Sequence, residues 1–162
     1  MIAVVDAPSA REWCGGPARL QGMDLQELSD RQEITDLITR FTLAIDTLSF
    51  ADLRQVFTDD AVLDYSSSGG PTGSVDAVVP WIERGLAGFD RFQHTIGQIA
   101  VDLHADAAQA SAYFTSPRVR IDPDGTERLR EVGGYYHYDL VRTLDGWRSR
   151  GIVEDRVWSR RS

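Results

Sequence analysis

Residues 127–158 read ERLREVGGYYHYDLVRTLDGWRSRGIVEDRVW. Two strands are expected here, Glu127–Thr143 and Trp147–Trp158. Asp145-Gly146, between Leu144 and Trp147, is a strong two-residue hairpin signal. Working back along the chain, Gln93–Leu103, Ala108–Ser116 and Arg118–Asp122 read as further strands, and Asp122-Pro123-Asp124-Gly125 is a turn. The first half differs. Ile34, Leu37, Ile38, Phe41, Ile45 and Leu48 recur at helical spacing as one apolar stripe, with Ser29 and Gln32 at capping-box spacing in front of it. Ser49 and Asp52 suggest a second cap, before a short helix lined by Leu53, Val56 and Phe57 that Asp59-Asp60 ends. Ala61–Tyr65 reads as a strand, Ser66–Gly73 as a loop. Ser74 caps a third helix running to about Leu86, which Pro80 should shorten, kink or displace. Helices followed by a long antiparallel run define an α+β domain, not a parallel α/β one. A curved sheet with helices on one face can enclose a small-molecule pocket.

Composition removes several chemistries. The chain has 162 residues, 42% hydrophobic and 26% charged, the balance of one globular domain. All 17 basic residues are arginine; lysine and asparagine are absent. Schiff-base catalysis and a Walker phosphate loop both need a lysine. Three histidines and a lone Cys14 do not make a structural zinc site or an internal disulfide, and neither a metal nor a cofactor is expected. A net charge of −8 argues against nucleic acid; the one basic cluster, Arg148, Arg150, Arg156, Arg160 and Arg161, reads as a solvated strand edge and tail. No apolar run approaches a membrane span, and Ile2–Val5 is too short for a signal-peptide core. A soluble cytoplasmic protein is expected. Residues 1–22, punctuated by proline and glycine, read as a flexible extension carrying Trp13 and Cys14, and residues 23–162 as the domain.

Two residues stand out as candidates for chemistry. His94 opens a strand, and histidine suits proton transfer near neutral pH; a partly exposed strand-end histidine is the plain alternative. Asp46 sits ~120° from Ile34 on the helical wheel, at the edge of the apolar stripe, in the last turn where the helix dipole disfavours a carboxylate. A surface aspartate is one explanation and pairing with a histidine the other. His104 lies in a polar turn and is expected to be exposed. His137 shares a strand face with Tyr135 and Asp139, while Tyr136, Tyr138 and Leu140 share the other; the sequence leaves open which face is inside. Tyr65 ends the first strand, as a core aromatic or with its hydroxyl in a pocket.

Ala44-Ile45-Asp46, Asp52-Leu53-Arg54, Phe57 through Tyr65, Gln93-His94-Thr95-Ile96-Gly97, and Gly134-Tyr135-Tyr136 leading to Asp145-Gly146-Trp147 succeed one another in the order and spacing of a known group. From about Leu28 to Trp158 the chain resembles the SnoaL-like and scytalone-dehydratase-like branch of the nuclear-transport-factor-2-like superfamily. The resemblance implies a cone-shaped curved antiparallel sheet with the N-terminal helices on its concave face. It also implies that Asp46 and His94 match the aspartate–histidine pair of scytalone dehydratase, the bile-acid 7α-dehydratase and lindane dehydrochlorinase, and that Tyr65 matches a scytalone dehydratase tyrosine. The chain departs from those relatives at Ile45 and Phe41, where they carry tyrosines. It has no second histidine near Pro117-Arg118-Val119, and it places His137 near their later asparagine. The activity this resemblance implies is that of a cofactor-free lyase or isomerase (dehydratase-like) acting on a small hydrophobic carbonyl- or hydroxyl-bearing molecule. His94 would be its base and Asp46 the orienting carboxylate. Tyr65, Gln98 (on His94's strand face at period two), His137, Phe41 and Tyr136 would bind substrate. A cyclase or epoxide-opening enzyme of natural-product assembly and a non-catalytic binding module are the alternatives. A homo-oligomer, trimer or dimer, is implied too, with Tyr135–Tyr138 and Trp158 as interface candidates.

Overall fold

The computed structural model describes residues 24–162; the 1–22 extension, with Trp13 and Cys14, lies outside them. Helix α1 spans Leu25–Asp46 and is capped by Asp24, whose carboxylate accepts from the Glu27 N–H at 2.8 Å. The cap therefore lies earlier than the expected Ser29: Asp24-x-x-Glu27 has the same spacing as Ser29-x-x-Gln32 and stands first. Ser29 and Gln32 instead reach Glu33 and Asp36 along the helix surface. Ile34, Leu37, Ile38, Phe41 and Ile45 are buried, as their spacing requires. After α2 (Phe50–Leu53) and a 3₁₀ turn, β1 runs Phe57–Asp64, starting earlier than expected because Phe57 and Ala61 are both buried while Asp59 and Asp60 point outward. Helix α3, Val75–Leu86, follows the short β2 (Thr72–Ser74) and runs through Pro80 without interruption. Val75, Val78, Val79, Ile82 and Leu86 bury its inner side, and that burial outweighs the one backbone bond Pro80 cannot make.

The remaining strands are β3 (Arg91–Phe92), β4 (Thr95–His104), β5 (Ala107–Ile121), β6 (Glu127–Thr143) and β7 (Gly146–Arg161). Ala108–Ser116 and Arg118–Asp122, read as two strands, are one. The order is β2-β1-β7-β6-β5-β3, with β4 also on β5. The β6–β7 hairpin turns through Leu144-Asp145, one residue before the expected pair, and Gly146 opens β7 opposite Thr143 with a φ of +94°. The sheet is mixed and open, not wholly antiparallel: β1 pairs parallel to β7. The intervening elements carry the chain back to the β7 edge, so the first long strand in sequence pairs with the last.

Alternation along β6 settles which face is inside. Tyr136, Tyr138 and Leu140 are buried with Ala108, Ala110, Ala112 and Phe114 of β5, and Phe41 of α1 meets Tyr136 and Tyr138 edge-on at 5.4 and 6.0 Å. Tyr135 and His137 lie on the outer face, beside Tyr113 and Ser111. Of the aromatic run considered for an interface, only this outer pair and Trp158 point away from the core. Two bulges bend the β6–β7 ladder, between Gly133 and Gly134 and between Asp139 and Leu140. At the first, a Cβ on Gly134 would lie 1.9 Å from the Asp155 carbonyl oxygen, and one on Gly133 would lie 2.4 Å from Trp158. Glycine is what lets the strands approach there.

Candidate functional site

Asp46, the last residue of α1, and His94, in the gap between β3 and β4, meet. The Asp46 carboxylate accepts twice from one residue: the His94 backbone N–H donates to Oδ2 at 2.8 Å, and His94 Nδ1–H donates to Oδ1 at 2.6 Å. The gap has a local cause. Gln93 N–H donates to the Pro117 carbonyl at 3.2 Å, but Pro117 has no N–H to return the bond. The ladder lacks that return bond, and the next amide, His94, faces the other way, as alternate amides of a strand do, and meets Asp46. The histidine side chain is 3% exposed and the aspartate 18%. With Nδ1 protonated toward Asp46, Nε2 keeps its lone pair.

His94 lines a cavity of about 170 Å³ between the inner sheet face and α3. Its apolar wall includes Ile45, Trp81, Ile82, Leu86, Phe89 and Val132. Its polar groups include Tyr65, Ser68, Tyr136 and Glu154, and three arginines, Arg118, Arg130 and Arg156. Tyr65 is 4% exposed, and its hydroxyl has no hydrogen-bond partner among the described residues. Burial, with the nearby Glu154 charge, pushes the Tyr65 hydroxyl well above the ordinary tyrosine value; burial first, then Tyr65 and Glu154, does the same to Tyr136. Both stay protonated as donors.

Glu154 is the residue the sequence reading missed. It is 4% exposed, stands opposite Tyr136 in the β6–β7 register, and leaves Oε2 without a hydrogen-bond partner among the described residues. Burial raises its carboxyl above the usual range, against the pull of Ser68, Arg118, Arg156 and His94. The signal for it was present: Ile152, Glu154 and Arg156 alternate on one strand face, and Ile152 is core. Arg156 accordingly leaves the solvated C-terminal cluster in which the sequence reading placed it.

Three expected binding residues lie elsewhere. Gln98 does not share His94's side, because a bulge between Ile96 and Ile99 shifts the register of β4. Ile96 and Ile99 both pack inward, and Gln98 falls into an outer groove with Tyr113, Tyr135 and Trp158. His137 is on the outer face, its Nδ1 2.9 Å from the Ser111 hydroxyl. Phe41 is core, fully buried behind Tyr136 and absent from the cavity lining. Tyr65 and Tyr136 do line the cavity. His104 is exposed beside Asp102. Among the described residues, no group of three His, Cys, Asp or Glu side chains is arranged to hold a metal ion, and no helix is long and apolar enough to cross a membrane.

The chain belongs to the SnoaL-like domain family, whose model matches residues 26–152. The uncharacterized Mycobacterium tuberculosis (strain H37Rv) protein Rv2910c is 33% identical over 138 residues, 85% of this chain and 92% of that one. The crystal structure of the Kfla4162 protein from Kribbella flavida superposes with a TM-score of 0.73 at 27% identity, covering 82% of this chain and 94% of that one. The hexachlorocyclohexane dehydrochlorinase LinA-type3 from Novosphingobium barchaimii has a TM-score of 0.72 at 15% identity, covering 86% and 94%. The fold is thus the nuclear-transport-factor-2-like one, in its SnoaL-like branch, and it is shared with small-molecule lyases.

Proposed function

We propose that the protein is a cofactor-free lyase of the dehydratase type, acting on a compact, mainly apolar molecule with a hydroxyl β to a carbonyl. The observation that carries this reading is the buried Asp46–His94 contact at the wall of a cavity that also holds a carboxyl biased toward its protonated form. A carboxyl that favours its proton and an imidazole held in place by a carboxylate, in one pocket, are what an elimination needs.

In the proposed step, His94 Nε2 takes the proton from the carbon α to the carbonyl. The electron pair left behind forms the carbon–carbon double bond, and the β C–O bond breaks. The Glu154 carboxyl gives its proton to the departing hydroxyl, which leaves as water. Asp46 holds the imidazole orientation and stabilises the imidazolium. Tyr65 and Tyr136 donate to the carbonyl oxygen as charge builds there. The proton on His94 returns to Glu154 through solvent. The dehydrochlorinase that shares the fold carries out an elimination by its name, which favours this class.

A panel of single-ring β-hydroxy ketones and acids, followed by the absorbance of the conjugated product, tests the reading. Wild type should turn over at least one member, and His94→Asn and Asp46→Asn should each slow it by roughly 10²–10⁴-fold. Equal turnover by His94→Asn, or panel members that bind to wild type and are all released unchanged, would overturn it. The second outcome would make the protein a binding module.

A further inference from the structure

Among the described residues, three arginines converge on the cavity without an ion pair, whereas most surface arginines, though not Arg40, Arg84, Arg148 and Arg161, have one. Arg31, Arg54, Arg91, Arg142, Arg150 and Arg160 each sit against a carboxylate. Arg118, Arg130 and Arg156 have none within 4.0 Å among the described residues. They come from three adjacent strands. Arg118 faces Arg130 directly across the β5–β6 ladder, and Arg130 in turn faces Arg161 across β6–β7. Like charges directly opposed on a sheet are destabilising. Arg130 Nε is buried without a hydrogen-bond partner among the described residues, and the one carboxyl in the cavity, Glu154, leaves an oxygen unpartnered beside them. The Arg118 Nε donates to Ser116 Oγ at 3.3 Å, and its guanidinium lies 5.9 Å from the Phe89 ring, which fixes its plane against the apolar wall. This is a positive edge without an ion-pair partner among the described residues, on a chamber whose other wall is the apolar side of Trp81, Ile82, Leu86 and Phe89.

We propose that the substrate of this cavity is a carboxylate: an acid group held by Arg118 and Arg130, with Arg156 nearby, and an apolar body of about one ring lying against Trp81, Ile82 and Phe89. The inference deepens the lyase reading and rests on it for the word substrate. A guanidinium pair matches the planar fork of a carboxylate and forms its strongest hydrogen bonds there. The volume of about 170 Å³ is close to that of a cavity known to take one benzene, about 150 Å³. The bound anion would also relieve the repulsion between Arg118 and Arg130, and with the arginines neutralised Glu154 would keep its proton.

Calorimetric titration with trans-cinnamate, its neutral isostere cinnamamide, and phenyl phosphate tests this directly on the full chain. Cinnamate should bind roughly tenfold or more tighter than cinnamamide, and Arg118→Gln and Arg130→Gln should each remove most of that preference. Thermal melting of both variants keeps the result interpretable. Each loses an unpaired charge and should melt no lower than wild type; Arg156→Gln, at the cavity edge, is the third arm. Equal affinity for acid and amide, or an acid preference untouched in all three variants, overturns the proposal. So does tighter binding of phenyl phosphate than cinnamate, which would assign the site to a phosphate group. The lyase reading fails separately: if His94→Asn keeps its turnover while the acid preference stands, the catalytic assignment is wrong and the carboxylate site is not.

Discussion

Asp30 of α1 and Glu154 of β7 are closed to solvent to the same degree, at 5% and 4% exposure, and they meet opposite electrostatic fates. Burial alone would raise both. At Asp30 it is outweighed: Arg142 reaches Oδ2, the Trp147 indole N–H donates to Oδ1 at 3.2 Å and Gln26 donates at 3.0 Å, holding the carboxyl below the usual range. Arg142 also lies over the Trp147 ring at 4.8 Å. At Glu154 burial wins, and one oxygen stays unpartnered. The first cluster pins the start of α1 to the β6–β7 hairpin and is a structural joint. The second is left unsatisfied at a cavity wall, as groups that handle a substrate are. Burial of a charge alone therefore does not separate the two; what does is that the pull on Asp30 outweighs burial and the pull on Glu154 does not.

Removing each carboxylate should separate the two roles. Glu154→Gln keeps the shape and loses the proton donor, so turnover of a panel substrate should fall by roughly 10²–10⁴-fold while the fold persists. Equal turnover would place the acid elsewhere. Asp30→Ala should do the reverse, costing about 2–3 kcal/mol by leaving the Trp147 N–H unpaired and Arg142 with only the exposed Asp106. Denaturant unfolding reads the loss, and activity per folded molecule should be unchanged. Gly134→Ala, in the bend that presents Glu154 and Arg156, should cost about 1–3 kcal/mol by overpacking against the Asp155 carbonyl; an unchanged midpoint would mean that the bulge yields freely.

The smallest effect is in pH. A carboxyl held low stabilises the fold above about 3.9, and Asp30's share is lost as pH falls through its lowered value. A carboxyl held high works the other way: Glu154's share is complete below about 4.3 and is lost as pH rises through its raised value. Glu154→Gln should therefore melt higher than wild type near neutral pH, with the gap closing toward pH 4. One pKa unit, about 1.4 kcal/mol, corresponds to a few degrees in a chain of this size. A gap that widens on acidification would reverse the assignment.

The helix stripe, the β6–β7 hairpin and the α+β order were readable because each depends on local period or turn chemistry. Asp46 was readable for the same reason: a carboxylate at the end of an apolar stripe needs a partner, and resemblance supplied His94. The features that escaped were set by register. The bulge in β4 that turns Gln98 outward, the face of β6 that keeps His137 outside, and the parallel pairing of β1 with β7 are decided between strands. So is the facing of Arg118 and Arg130, which no single stretch of sequence displays. Glu154 was half visible, two residues from core Ile152, and was passed over within a strand that looked charged and exposed.

Proton removal by His94 is the centre of the account. With a ring-bearing α,β-unsaturated acid incubated in D₂O, the reverse reaction adds water across the double bond and places deuterium from solvent on the α carbon, where NMR reads it. Wild type should deposit that deuterium, and His94→Asn, folded and still binding the acid, should not. Deuterium arriving at the same rate in both proteins, or in neither, would contradict it.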